Sequence, residues 1–289
     1  MRDLLRVTAL EITGEDMDPK DRGSFWHKFL ELLIPKLRRE GMLNRSFSEI
    51  SPQLVDEALG EASVLHQRSA HVGHPALWEL SRKRAHAMVR RLLQSRYRGL
   101  PFQGHQPTET ELRFGGPAAA EKWREIKIPG GPGEADVFVE GKIDRVDEAD
   151  GALGVVDYKS GTVPTGKRAI ERLLASEFQL PLYLYAAHSV GKKGVEGAWL
   201  SLKDGAPIFL SSLLASHAGQ SVEELLATNS EERSRLERVG KKNLANAVHG
   251  LLHKLRQGDF GIRPLDCGYC SYRAVCRITE RRLNETRDG

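Results

Sequence analysis

Two aspartates and a lysine near the middle of the chain have the types and spacing for hydrolytic chemistry. The segments Gly141-Lys-Ile-Asp144-Arg-Val-Asp147 and Val156-Asp157-Tyr-Lys159 flank Asp150-Gly151, a dipeptide that signals a two-residue hairpin turn. With that dipeptide at the turn, Asp144 falls directly opposite Asp157. Side chains so placed have Cβ atoms about 4.5–5.5 Å apart, and like charges there repel. A divalent cation removes the conflict, because Mg2+ typically takes one or two carboxylates and keeps several waters. Lys159 follows Asp157 by two residues, so strand alternation puts it on the same face. A metal that polarises a phosphate and activates water, beside an ammonium that orients the water or neutralises developing charge, is suited to phosphodiester hydrolysis. Val146, Leu153 and Val155 share this face and argue against a surface hairpin with unrelated charges. A β-bulge would move Asp144 away.

A second constellation lies near the C-terminus. The three cysteines of the chain, Cys267, Cys270 and Cys276, form C-x2-C-x5-C. So tight a triplet cannot build a disulfide framework for a chain of this length, so it points to a bound metal or cluster. Four thiolates are the usual set for a [4Fe-4S] cluster or a structural zinc. His249 and His253, at i,i+4, could complete a mixed zinc site, although they more simply flank a helix face.

The elements that must hold these residues follow from periodicity. Helical spacing predicts a helix over 22–39, capped by Asp21, with Phe25, Phe29, Leu32, Leu33 and Leu37 inside; a second over 51–71; and a third over 75–98 with a stripe of Leu77, Leu80, Met88, Leu92 and Leu93. The third helix carries Arg82, Lys83, Arg84, Arg90 and Arg91 and no acid after Arg82. That is a solvated face unless the partner is a nucleic acid, in which case it tracks phosphates. From Thr108 the period changes to two, predicting strands over 109–114, 134–140, 141–147 and 153–159. A helix over 177–189, a strand over 195–202 and further helices follow. The order predicts an α/β or α+β fold with helical additions: a helical N-terminal part over 1–107, a core over 108–262 and a cysteine segment over 263–289.

Length and composition set outer bounds. The 289 residues carry a net charge of +4, with 40% hydrophobic and 28% charged residues, which excludes disorder and fibrous repeats. The sequence has no apolar run of membrane-spanning length and no secretory signal, so a cytoplasmic protein with no membrane partner is expected.

The hairpin residues, taken with others in order, resemble the PD-(D/E)XK nuclease superfamily in its RecB-like branch. Gly23-Ser-Phe-Trp-His27 matches the family's Gly-x-x-x-His helix, and Gln179-Leu-Pro-Leu-Tyr183 matches its Gln and Tyr on the helix after the Asp-x-Lys strand. Asp266-Cys-Gly-Tyr-Cys-Ser-Tyr-Arg-Ala-Val-Cys-Arg277 is most similar to the end of the iron-sulfur nuclease domain in AddB-type subunits of helicase-nucleases. The resemblance implies a restriction-endonuclease-like core, a mixed central sheet flanked by helices, with His27, Asp144, Asp157 and the Tyr158 carbonyl as ligands of Mg2+ or Mn2+. It makes Lys159 the catalytic lysine and Gln179 and Tyr183 accessory residues. Glu111 is a further acidic candidate. In that family the fourth cluster cysteine lies upstream of the Gly-x-x-x-His helix, so the cluster is expected to be incomplete in this chain, as in a truncated form of a longer protein.

The implied activity is Mg2+-dependent deoxyribonuclease action, as an exonuclease on single-stranded DNA ends, beside a helicase partner in double-strand break repair. Two alternatives stand beside it: a silent DNA-binding scaffold of the same complex, and a stand-alone iron-sulfur nuclease of the CRISPR-adaptation type. Gly161-Thr-Val-Pro-Thr-Gly166-Lys167-Arg168 nearly matches a P-loop. It fails because Arg168 stands where Ser or Thr must reach Mg2+, and Pro164 removes a backbone donor.

Overall fold

The structure is a computed structural model and describes residues 17–259 apart from 132, 164 and 192. Residues Glu15–Gly250 form one compact unit. The chain opens with three helices, α1 (Pro19–Arg39), α2 (Pro52–Ser69) and α3 (Pro75–Gln94). Each has proline in its first turn, where a missing N–H costs nothing. Strands β1 (Gln106–Phe114), β2 (Lys127–Ile128), β3 (Val137–Phe138), β4 (Gly141–Ala149) and β5 (Ala152–Lys159) come next. They are followed by α4 (Gly166–Arg172), α5 (Gln179–Ser189), β6 (Lys193–Ser201) and β7 (Pro207–Phe209), then α6 (Leu210–Ala218), α7 (Val222–Leu226), α8 (Ser230–Arg238) and α9 (Leu244–Arg256).

The main sheet has the order β1-β4-β5-β6-β7; β5 and β6 run parallel and the other pairs antiparallel. The β4–β5 hairpin turns at Asp150 and Gly151, both with positive φ, as a tight hairpin turn requires. Its register pairs Arg145 with Val156 and Val146 with Val155, as the sequence predicts, so Asp144 and Asp157 stand next beyond the last paired residues. Both strands are buried through their middles, more deeply than a half-exposed hairpin. Helices cover both faces. Leu153, Val155 and Trp199 belong to one core with α5, α6 and α7, while Val156, Tyr158, Ala198 and Leu200 belong to another with α1, α2 and α3.

Helix α1 is joined to the sheet through a defect in its own ladder. Pro35 lies inside it and has no N–H for the carbonyl of Glu31. The Thr110 hydroxyl of β1 donates to that carbonyl at 3.3 Å, so the group freed by the proline is satisfied across the helix–sheet junction.

Four local expectations are corrected. The cap of α1 is Asp18, whose carboxylate accepts from the Lys20 N–H at 2.7 Å, rather than Asp21; Pro19 at the first helical position moves the start upstream. The predicted strand 134–140 is only β3, paired with β2 over two residues, because Gly130, Gly131 and Gly133 interrupt the chain before it. The α3 stripe runs through Trp78, Ser81, Ala85, Met88, Val89, Leu92 and Leu93. Leu80 is exposed, because it lies about 100° around the helix from Ser81 and so off the face that Trp78, Ser81, Ala85 and Met88 share. The third helix stops at Gln94, four residues short of its predicted end, where Arg98 and Gly99 adopt positive φ.

Candidate active site

Helix α1 brings a single polar face to the end of the β4–β5 hairpin. Lys20, Gly23, Ser24, His27, Lys28 and Glu31 recur at helical spacing and line a cleft of about 730 Å³ with Glu111, Asp144, Ser160, Gln179 and Tyr183. Gly23 permits the approach: a Cβ there would come within 3.2 Å of the Ser160 hydroxyl oxygen. The Gly-x-x-x-His spacing thus puts the contact-permitting residue one turn before the histidine, on the same face.

His27 faces acceptors on both ring nitrogens. Its Nδ1 lies 3.4 Å from Asp144 Oδ2 and its Nε2 lies 3.2 Å from the Tyr158 carbonyl. A neutral imidazole carries one proton, so in the neutral state one of these approaches has no hydrogen. Burial opposes a charge on His27, but Asp144, Asp157 and Glu111 outweigh it and raise its pKa above the usual value. Asp144 Oδ2 also accepts the Tyr158 N–H at 2.9 Å, which ties the carboxylate to β5.

Glu111 completes the cluster. Strand β1 pairs Thr110 with Arg145 and Leu112 with Ile143, which places Glu111 across from Asp144. Its φ of 53° is uncommon for a residue with a side chain and points to local strain at this position. His27, Glu111 and Asp144 each offer a ligand atom, all within 4.8 Å of one another. Glu111 also pairs with Lys142. The donor set of one imidazole, two carboxylates and a nearby main-chain carbonyl fits a divalent cation.

Asp157 and Lys159 stand beside this cluster. Asp157 is 1% exposed; its Oδ2 lies 2.9 Å from the Lys159 ammonium but makes no well-aligned hydrogen bond. Burial pushes the carboxyl up to about 6, with Lys159 pulling it down and Asp144 adding to the rise. A buried carboxylate oxygen without an aligned donor is costly, and it is what a cation would relieve. Lys159 donates to Gln179 Oε1 at 3.2 Å and lies 3.8 Å from Glu177. Gln179 opens α5, and Pro181 is accommodated in its first turn. Tyr183 packs edge-on to Phe114, and burial, then Asp144, Asp157 and Glu111, raise its pKa far above the ordinary range, so it remains a neutral hydroxyl.

His27, Asp144, Asp157, Tyr158, Lys159, Gln179 and Tyr183 therefore converge, while the basic residues of α3 do not line this cleft. Arg82 reaches Glu79 and the Ser63 hydroxyl, and Arg91 reaches the Lys203 carbonyl; Lys83, Arg84 and Arg90 are exposed. Among the described residues, the lysines that line the cleft are Lys20, Lys28 and Lys142, none of which belongs to a basic run in the sequence. The helical spacing around His27 carries the signal for the first two. His249 is turned to the Pro129 carbonyl at 3.0 Å and to Glu134 at 3.5 Å, and His253 pairs with Gln257. Cys267, Cys270 and Cys276 lie outside the described residues.

Comparison with known proteins accords with this geometry. A family profile for the PD-(D/E)XK nuclease superfamily matches residues 1–277. The chain is 30% identical over 181 residues to an ATP-dependent helicase/deoxyribonuclease subunit of Moorella thermoacetica, in a match that covers 59% of this chain and 15% of that protein. It is 28% identical over 212 residues to the equivalent helicase/deoxyribonuclease subunit of Streptococcus pneumoniae, and equally so to the exonuclease/helicase subunit RexB of another strain; each match covers 71% of this chain and 17% of the relative. The chain thus spans about a sixth of the length of these relatives. With a match that runs through the cleft and nearly the whole sequence, this chain belongs to the PD-(D/E)XK nuclease superfamily.

Proposed function

We propose that this chain is a metal-dependent deoxyribonuclease module that hydrolyses phosphodiester bonds at single-stranded DNA ends, within a helicase-nuclease that processes double-strand breaks. The observation that carries the reading is the meeting of His27, Glu111 and Asp144 at a cleft with the Lys159–Asp157 pair beside it, reached through Gln179 of the cleft wall. His27, Asp144, Asp157 and the Tyr158 carbonyl would hold Mg2+ or Mn2+, with Glu111 as a further ligand. A cation there supplies Lewis acidity to the scissile phosphate and lowers the pKa of water.

The residues of the chain do the remaining work. Lys159, held between Asp157 and Gln179, orients the attacking water and offsets charge that develops on the phosphate. Gln179 holds the ammonium in place. Tyr183, kept neutral, offers an O–H to a phosphate oxygen. Lys20, Lys28 and Lys142 line the cleft where flanking phosphates would pass, giving sequence-independent, salt-sensitive contact. Lys83, Arg84 and Arg90, with Arg82 and Arg91 behind them, form a separate basic track for the same strand. Cys267, Cys270 and Cys276 would contribute three thiolates to a [4Fe-4S] cluster. The relatives' names, as subunits of ATP-dependent helicase/deoxyribonucleases, support a helicase partner.

The deciding experiment is cleavage of linear single-stranded DNA by the purified chain with Mg2+ or Mn2+, beside EDTA and Lys159→Ala controls. The expected result is activity that disappears in both controls. Activity that persists in EDTA, or in Lys159→Ala, would overturn the assignment.

A further inference from the structure

Beside the cleft, on the face of the sheet where Tyr158 packs with α1, α2 and α3, β4 and β5 carry a charged group sealed from solvent. Arg145 and Asp147 are both 0% exposed. The guanidinium donates from Nε to Asp147 Oδ1 at 2.7 Å and from one terminal nitrogen to Oδ2 at 2.8 Å, and its other terminal nitrogen donates to the Tyr158 hydroxyl at 2.9 Å. It also lies over the Tyr158 ring at 5.6 Å. Burial disfavours the charge on Arg145, but Asp147 and Tyr158 outweigh it and raise its pKa.

Such a group is a poor source of stability. Apolar residues of similar volume often serve as well or better, because desolvating two ions offsets their attraction. What the arrangement supplies is position. Arg145 adjoins Asp144 in β4, and Tyr158 lies between Asp157 and Lys159 in β5. The main chain of Tyr158 meets the cleft twice, its N–H donating to Asp144 Oδ2 at 2.9 Å and its carbonyl lying 3.2 Å from His27 Nε2. The β4–β5 pairing runs from Ala149–Ala152 only as far as Arg145–Val156; beyond it the strands are joined by the Tyr158 N–H bond to Asp144 and by the Arg145–Tyr158 bond of the side-chain clamp.

Resting on the metal-site reading above, we propose that Arg145, Asp147 and Tyr158 are positioning residues. Their ionic clamp fixes the Tyr158 backbone, and through it the separation of Asp144, Asp157 and the Tyr158 carbonyl, at the spacing a divalent cation needs. Arg145 and Asp147 do not line the cleft, while the Tyr158 ring packs edge-on against the His27 ring with centroids 5.7 Å apart. Their effect reaches the ligands through the two strands and through this ring contact, in the way that outer-shell partners hold metal ligands in orientation.

The test is Mn2+ binding by calorimetry to the full chain without DNA, in Tyr158→Phe and in the charge-neutral pair Arg145→Met with Asp147→Leu. Leu92→Val, a cavity in the same core on α3, is the control for lost stability. The clamp predicts at least tenfold weaker Mn2+ binding in both clamp variants at unchanged circular dichroism, and wild-type binding in Leu92→Val. Wild-type affinity in Tyr158→Phe, which keeps the ring and does not disturb the ion pair, overturns the proposal, as does an equal loss in Leu92→Val. A wild-type chain that binds no Mn2+ overturns the metal-site reading and this inference with it.

Discussion

The Lys159 ammonium lies 2.9 Å from Asp157 Oδ2, so the lysine is the counter-ion of a buried acid and, on the proposed reading, a cation beside the reacting phosphate. Lys159→Ala should therefore lower single-strand cleavage by about 10²–10³-fold, the usual cost of removing one group that stabilises transition-state charge. It should also raise the Asp157 pKa further, since Lys159 is what pulls it down, visible as a pH dependence of stability that extends to higher pH.

Asp157 gives the metal-free protein a characteristic pH dependence. Its folded pKa of about 6 lies above the ordinary 3.8, so between those values the folded state holds the extra proton. Stability therefore falls as pH rises through that window, by about 3 kcal/mol for a shift of roughly two units. His27, also raised, adds in the same direction at higher pH: its contribution is complete below the unfolded pKa and is lost as pH passes the folded one. Melting in EDTA from pH 4 to 7 should show the decline, Asp157→Asn should lack the lower part of it, and Mn2+ should stabilise more at pH 7 than at pH 5.

Glu111→Gln should separate metal binding from folding. The side chain joins His27 and Asp144 within 4.8 Å, so losing its charge should weaken Mn2+ binding by about 10–100-fold. The melting temperature without metal should stay level or rise, because one of three crowded acids is neutralised. A lower melting temperature with unchanged Mn2+ affinity would assign Glu111 to its Lys142 pair alone.

The two sets of cations should separate in a salt titration of single-strand binding. Replacing Lys20, Lys28 and Lys142 by Gln should reduce both the salt slope, by about 0.7 for each phosphate that is no longer neutralised, and cleavage. Lys83, Arg84 and Arg90 to Gln should reduce the slope on long strands and leave cleavage of short oligonucleotides near wild type, since these residues lie off the cleft.

Gly154 tests the fold itself. A Cβ there would meet the Phe102 ring at 2.2 Å, in the core shared with α1, α2 and α3. Gly154→Ala should cost about 1–3 kcal/mol as an overpacked site, measurable by denaturant titration.

The hairpin and its acids were legible because their determinants are local. A turn dipeptide and strand alternation place Asp157 beside Lys159 and opposite Asp144 without knowledge of the rest of the chain. The place of Glu111 was not, because it depends on a register shift between Pro107 and Glu109 and on a left-handed residue in mid-strand. The depth of β4 and β5 was hidden for a similar reason: nothing local marks the charged Arg145 and Asp147 as buried, and only the packing around the sheet makes them so. The cap was misplaced by three residues because Asp18-Pro19 and Asp21 both carry start signals, and the proline decides between them. Lys142 in the cleft is a matter of tertiary placement that no charge run announces.

Along β5 successive side chains alternate between two cores, with Val155 and Asp157 on one side and Val156 and Tyr158 on the other. A lineage therefore cannot shed this chemistry by gaining or losing a residue within that strand, since a slip of one would drive the acid and the lysine among α1, α2 and α3 and expel the tyrosine. Exchange of Asp157 or Lys159 alone would instead leave the strand in register. A chain altered in that way would keep the same fold with the proposed chemistry removed.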